Sequence, residues 1–71
     1  MEQKIKPTFQ TREYYSRDVI AIRDRWQQFL YVKHAARPLD IYVDSNDNLV
    51  MIFDKNETRE LYEKYRRYEL K

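Results

Sequence analysis

Arg59, Tyr62, Lys64, Tyr65, Arg66, Arg67 and Tyr68 crowd into one stretch near the end of the sequence, and their chemistry is that of binding. Tyrosine buries a large ring while keeping its hydroxyl in water, and arginine presents a planar fork of donors, so both are enriched where proteins meet. Arg59, Tyr62, Arg66, Arg67 and Tyr68 are therefore the candidate partner-binding residues. The same stretch also suits single-stranded nucleic acid, with bases stacked on the rings and phosphates on Arg59, Lys64, Arg66 and Arg67. Interleaved Glu57, Glu60, Glu63 and Glu69 lower its positive potential, which favours a protein over a nucleic acid. A purely structural role competes with both, in which Tyr65 and Tyr68 cover a sheet as a semi-polar core.

Other constellations point away from catalysis. Asp44-Ser45-Asn46-Asp47-Asn48 opens like a calcium loop, but Leu49 stands where glycine is needed and Lys55 where the bidentate glutamate belongs. A hairpin turn is the better reading. Asp40, Asp44, Asp47 and Asp54 are expected on an exposed strand face, in a turn and at a helix cap, without the shelter that catalytic carboxylates require. His34 has no cysteine and no serine in an elbow context to activate, so a His34/Tyr/Arg hydrolytic site has no second signal behind it. Asn56-Glu57-Thr58 fits a glycosylation triplet, a pattern common by chance.

Composition excludes more. The chain has no glycine, so it can build neither a Walker loop nor a dinucleotide fingerprint, and left-handed turns are expected at Asn or Asp. With no cysteine and one histidine, neither a disulfide nor a transition-metal site is expected, and no cofactor. Seventy-one residues make a single domain, 1–71, that buries only about 60% of its unfolded surface, so a partner or a second copy is a reasonable source of support. Charge is plentiful at 37% yet nearly balanced at a net +2, less basic than a dedicated nucleic-acid module. Residues 1–10 lack an apolar leader and the longest uncharged apolar run is Leu49–Phe53, so a cytoplasmic protein with no membrane association is expected.

The elements that position these residues follow from period. Tyr15, Val19, Ile22, Trp26 and Phe29 step by four, three, four and three, which predicts a first helix over about 13–31 with Trp26 central in the core. Arg17, Asp18, Asp24, Arg25, Gln27 and Gln28 fall on its flanks and outer side, with Thr11 or Ser16 as cap and Glu13–Arg17 as a supporting pair. Pro38 ends any helix before it. Leu39–Asp44 alternates as a half-buried strand, while 48–54, apolar on both sides, belongs mid-sheet or beneath a helix. A three-residue loop with Asn48 left-handed would pair Val43 with Met51 and Ile41 with Phe53, giving one apolar face. Asp54-Lys55-Asn56-Glu57 reads as a capping box for a second helix over about 56–70, with Leu61, Tyr65 and Tyr68 inward, Tyr62 at the edge, and Glu60–Lys64 and Glu63–Arg67 as supporting pairs. An edge strand is expected near 8–11 and loose chain over 1–7. The class is α+β: a small antiparallel sheet with two helices on one face.

Phe9-Gln10-Thr11-Arg12-Glu13-Tyr14-Tyr15, a helix, then Leu49-Val50-Met51-Ile52-Phe53-Asp54 leading into Thr58-Arg59-Glu60-Leu61 resembles short proteins of unknown function from phages and mobile elements of Firmicutes. Those proteins often carry a glycine after the first helix, where Tyr31–Lys33 stands here. The resemblance implies a phage or mobile-element accessory protein and supplies no catalytic residues. Together these readings describe a non-enzymatic protein-binding or regulatory module, acting on a host or defence protein and able to form a homodimer. The alternative is a nucleic-acid-binding accessory protein using the Tyr/Arg-rich C-terminal helix.

Overall fold

Strand β5 (Leu49–Asp54) organises the molecule, because its residues are apolar on both sides and demand cover on both. Val50 and Phe53 are fully buried and Ile52 nearly so. The computed structural model describes residues 4–5 and 13–71. Strands β3 (Val19–Ile22) and β4 (Asp40–Val43) flank β5, both antiparallel to it. Helix α1 (Arg25–Lys33) is therefore the crossover between two strands that run the same way. A separate ribbon joins β1 (Lys4–Ile5) to β2 (Tyr14–Tyr15), and helix α2 (Arg59–Arg66) closes the chain. This is the expected α+β class, with both helices on one face of a three-stranded sheet. The strand expected near 8–11 lies outside the described residues, as does all of 1–7 except Lys4–Ile5, which form β1.

Two cores result. On the helix side Ile22 and Phe53 from the sheet meet Leu30 and Tyr31 from α1 and Leu70 beyond α2, with Ile20, Met51, Leu61 and Tyr65 packed around them. On the other side Tyr14, Leu39, Val50 and Ile52 cluster with Val19 and Tyr42. Asp40 is buried beside this second core rather than exposed as expected. Its charge, after burial itself, pushes the Tyr14 hydroxyl above its ordinary pKa.

The first helix is where sequence and structure part. A helical period ran from Tyr15 to Phe29, yet residues 14–22 form strand β2, a 3-10 turn (Ser16–Asp18) and strand β3. Val19-Ile20-Ala21-Ile22 pairs along Asp54 to Met51, where β-branched side chains pack well on a pleated surface. The helix then starts afresh, because the Asp24 carboxylate accepts from the Gln27 N–H at 2.9 Å. Ser16 is not the cap, Thr11 lies outside the described residues, and Glu13–Arg17 is not a helical pair. This later start changes which face goes inward. Gln28, Leu30 and Tyr31 are buried, whereas Trp26 and Phe29 are 60% and 53% exposed.

The hairpin register is displaced by two residues. Val43 pairs with Leu49 and Ile41 with Met51, and Asp47 rather than Asn48 takes the left-handed conformation, at φ 61°. Asp44 is the reason: its carbonyl accepts from Asp47 and its N–H donates to the Asn48 carbonyl. Its carboxylate also accepts from the backbone N–H groups of Asn46 and Asn48, both at 2.9 Å, and from the Arg23 Nε at 3.1 Å. A shift of two preserves side-chain parity, yet the expected apolar face divides: Leu39 packs in the second core, Ile41 is half-buried and Val43 is exposed.

The Asn48 N–H, outweighing an opposing effect of burial and helped by Arg23 and Asn46, holds the Asp44 carboxyl down at about 2 from 3.8. A depressed carboxylate stabilises the fold above its unfolded pKa, and that contribution disappears as pH falls through the folded value. The thermal midpoint of the wild type is thus expected to drop more steeply than that of Asp44→Asn between about pH 4 and about pH 2. Parallel curves would contradict this role for Asp44.

Both helices end in the same device without glycine. The N–H of Ala36 donates to the Tyr31 carbonyl and that of Ala35 to Val32; Glu69 donates to Lys64 and Tyr68 to Tyr65. These are Schellman pairs, with Ala35 and Tyr68 left-handed at φ 68° and 59°. A left-handed residue with a Cβ is disfavoured, so Ala35→Gly is expected to raise stability by about 0.5–1 kcal/mol after allowing for the freer unfolded chain. A lower denaturation midpoint would overturn that expectation.

At the start of α2 the Asp54 carboxylate accepts from the N–H groups of Asn56 and Glu57, as the capping signal suggested. These residues form a turn that precedes the helix, so regular helix begins at Arg59 rather than near 56. It ends at Arg66, short of the expected 70, and its ion pairs are Glu63–Arg66 and, beyond the helix, Arg67–Glu69. Among the described residues no helix is long and apolar enough to cross a membrane.

Candidate functional site

The displaced helix phase leaves an aromatic surface in the open. Trp26 and Phe29, one turn apart on α1, stack with ring centroids 5.3 Å apart and planes at 17°. The Lys33 Nζ lies 6.0 Å from the Phe29 centroid, within reach of a cation–π contact, and Val32 extends the exposed apolar face. Tyr68, expected in the core, is 90% exposed. Its left-handed backbone turns the chain back at that point, so that Leu70 can enter the core two residues later.

Between α1 and this C-terminal turn runs a groove of about 350 Å³, lined by Trp26, Leu30, Tyr65, Arg66, Tyr68, Leu70 and Lys71. Leu30 and Leu70 are buried and form the apolar base, while Trp26, Tyr68, Arg66 and Lys71 are exposed at the rim. One contact ties the two sides together: His34 Nε2 lies 2.9 Å from the Lys71 carbonyl, linking Lys71 to the end of α1.

A second groove, of about 320 Å³, lies on the other flank of α2 and is lined by Ile20, Tyr31, Lys55, Thr58, Arg59, Tyr62 and Glu63. The five residues singled out in the sequence therefore divide. Arg59 and Tyr62 line this second groove, whereas Arg66 and Tyr68 line the first. Arg67 lines neither, and its Nε pairs with Glu69 at 3.4 Å. Trp26 and Phe29, the largest exposed rings of α1, were missed because helical spacing placed them inward.

Two tyrosine hydroxyls at these grooves are shifted by their surroundings. Burial first, then the charge and hydrogen bond of Asp24, push the Tyr65 hydroxyl up. Burial does the same to Tyr31, although the Gln27 side chain donates to its oxygen at 3.1 Å and opposes the shift. Both phenols stay neutral near pH 7, offering area and a hydrogen bond rather than a base. A third, polar depression holds His34, Arg37, Asp54, Glu57 and Glu60 but no tyrosine. Its single hydroxyl, Thr58 Oγ1, donates to the Asp54 carbonyl at 2.8 Å. The hydrolytic trio considered from sequence is therefore not assembled there. Among the described residues no group of three His, Cys, Asp or Glu side chains is placed to hold a metal ion.

No family model, curated relative or solved structure matches the chain.

Proposed function

We propose that this chain is a small non-enzymatic module that docks a polypeptide in the groove between α1 and the turn after α2. One observation carries the reading: exposed Trp26, stacked on Phe29, and exposed Tyr68 line a groove whose base is apolar. Rings that large expose area a partner can cover at little conformational cost, and an apolar base gives an anchor residue a dry seat. In line with the resemblance to phage and mobile-element proteins, the partner is a host or defence protein whose activity the module modulates. Self-association over the same rings is the homodimeric version of this reading, and a mass measurement in solution distinguishes it.

Trp26→Ala with Tyr68→Ala tests the proposal, since the double variant should lose polypeptide binding while keeping its fold. The second reading, single-stranded nucleic acid, is favoured by the near-parallel Trp26–Phe29 stack with Arg66 and Lys71 near Trp26. It requires affinity for an oligonucleotide that falls steeply with salt. Pairing of Arg66 with Glu63 and of Arg67 with Glu69 weakens the positive track such a ligand needs.

A further inference from the structure

We infer that the polypeptide taken by this groove is acidic and carries a bulky apolar anchor, an inference that rests on the polypeptide reading above. The charge of the lining is one-sided. Arg66 and Lys71 stand at the rim, and no Asp or Glu is among the residues that line the groove. Arg25, beside Trp26, and Lys33, beside Phe29, have no ion-pair partner among the described residues, and neither has Lys71. Among the described residues the carboxylate paired with a rim cation is that of Glu63, half-buried and 3.3 Å from Arg66.

The opposite end of the helical layer shows the contrast. Asp54, Glu57 and Glu60 line the depression beside the start of α2, together with Arg37 and His34. Acids at the start of α2 and bases at its end suit the helix dipole, and this polarity delivers the cations to the aromatic groove. Lys33 adds to them from the end of α1, and Lys71 lies beyond either helix. A basic segment would meet Arg66 and Lys71 at the rim, with Arg25 and Lys33 outside it, whereas an acidic one meets opposite charge there. The anchor itself is dictated by Leu30 and Leu70, which offer no hydrogen-bonding side chain at the base.

Trp26 is the single tryptophan of the chain, so its emission reports on this groove without a label. The full chain is titrated with four probes: a short peptide of glutamates around paired leucines, its lysine/leucine counterpart, a glutamate/serine peptide without the anchor, and an oligothymidylate. The glutamate/leucine peptide is expected to shift Trp26 emission to the blue and to bind at least about tenfold tighter than either other peptide, with affinity falling as salt rises. Arg66→Glu with Lys71→Glu should invert the preference between the glutamate/leucine and lysine/leucine peptides. Equal or stronger binding of the lysine/leucine peptide would overturn the charge inference and leave the polypeptide reading standing. Binding of the oligothymidylate alone would overturn both, as would a failure of every probe to move Trp26 emission.

Discussion

Gln28→Leu is expected to lower the free energy of unfolding by about 2–4 kcal/mol, a large fraction of what a domain of this size possesses. Gln28 is 3% exposed, and its Nε2 donates to two backbone carbonyls, Ile22 and Leu49, each at 2.7 Å. Those carbonyls belong to the last residue of β3 and the first of β5. One amide thus fastens α1 to the two strands beneath it. Leucine fills similar space but donates nothing, so each carbonyl loses a partner it cannot replace with water without opening the core. The change should appear in the denaturant midpoint with the slope preserved. Gln28→Glu should be worse, because a carboxylate would face two carbonyl oxygens. A leucine variant within about 0.5 kcal/mol of wild type would show that the amide adds nothing.

Trp26→Ala and Tyr68→Ala are expected to do the opposite, sparing stability and removing binding. Trp26 is 60% and Tyr68 90% exposed, so truncation leaves no buried cavity and should change stability by less than about 1 kcal/mol. At the centre of an interface such rings contribute about 2 kcal/mol each, roughly thirtyfold in affinity. Together they should reduce binding by more than about a hundredfold. Tyr62→Ala is the internal control, since Tyr62 lines the other groove and should leave affinity for this one unchanged. Loss at Tyr62 with retention at Tyr68 would move the site across α2.

Much of the fold was legible because burial leaves local signals. Strand β5 reads as central from its unbroken apolar run, and Asp54 reads as a cap from its spacing to Glu57. The first helix was not legible for a physical reason. Val19 and Ile22 occupy one side of a helix as well as they occupy a strand, and the long-range pairing of Ile20 with Phe53 and Ile22 with Met51 decides between them. Asp24 was the local clue, a good cap in mid-pattern. Even with that cap, Leu30–Tyr31 and Trp26–Phe29 are equally apolar, so the choice of inward face lies in packing against Phe53 and Leu70. The aromatic site followed the same fate. Its cations and Tyr68 were visible in sequence, while Trp26, with Phe29 stacked on it, became visible as a wall only once the helix phase was set. The hairpin register turned on Asp44, whose carboxylate gathers the turn around itself.

The most direct test of polypeptide docking in the α1/α2 groove is selection of a displayed random-peptide library on the full chain, with each enriched sequence then measured on wild type and on Trp26→Ala/Tyr68→Ala. Enriched peptides should bind the wild type and lose more than about a hundredfold in affinity on the double variant. Enrichment of no sequence, or of peptides that bind both forms equally, would contradict the account.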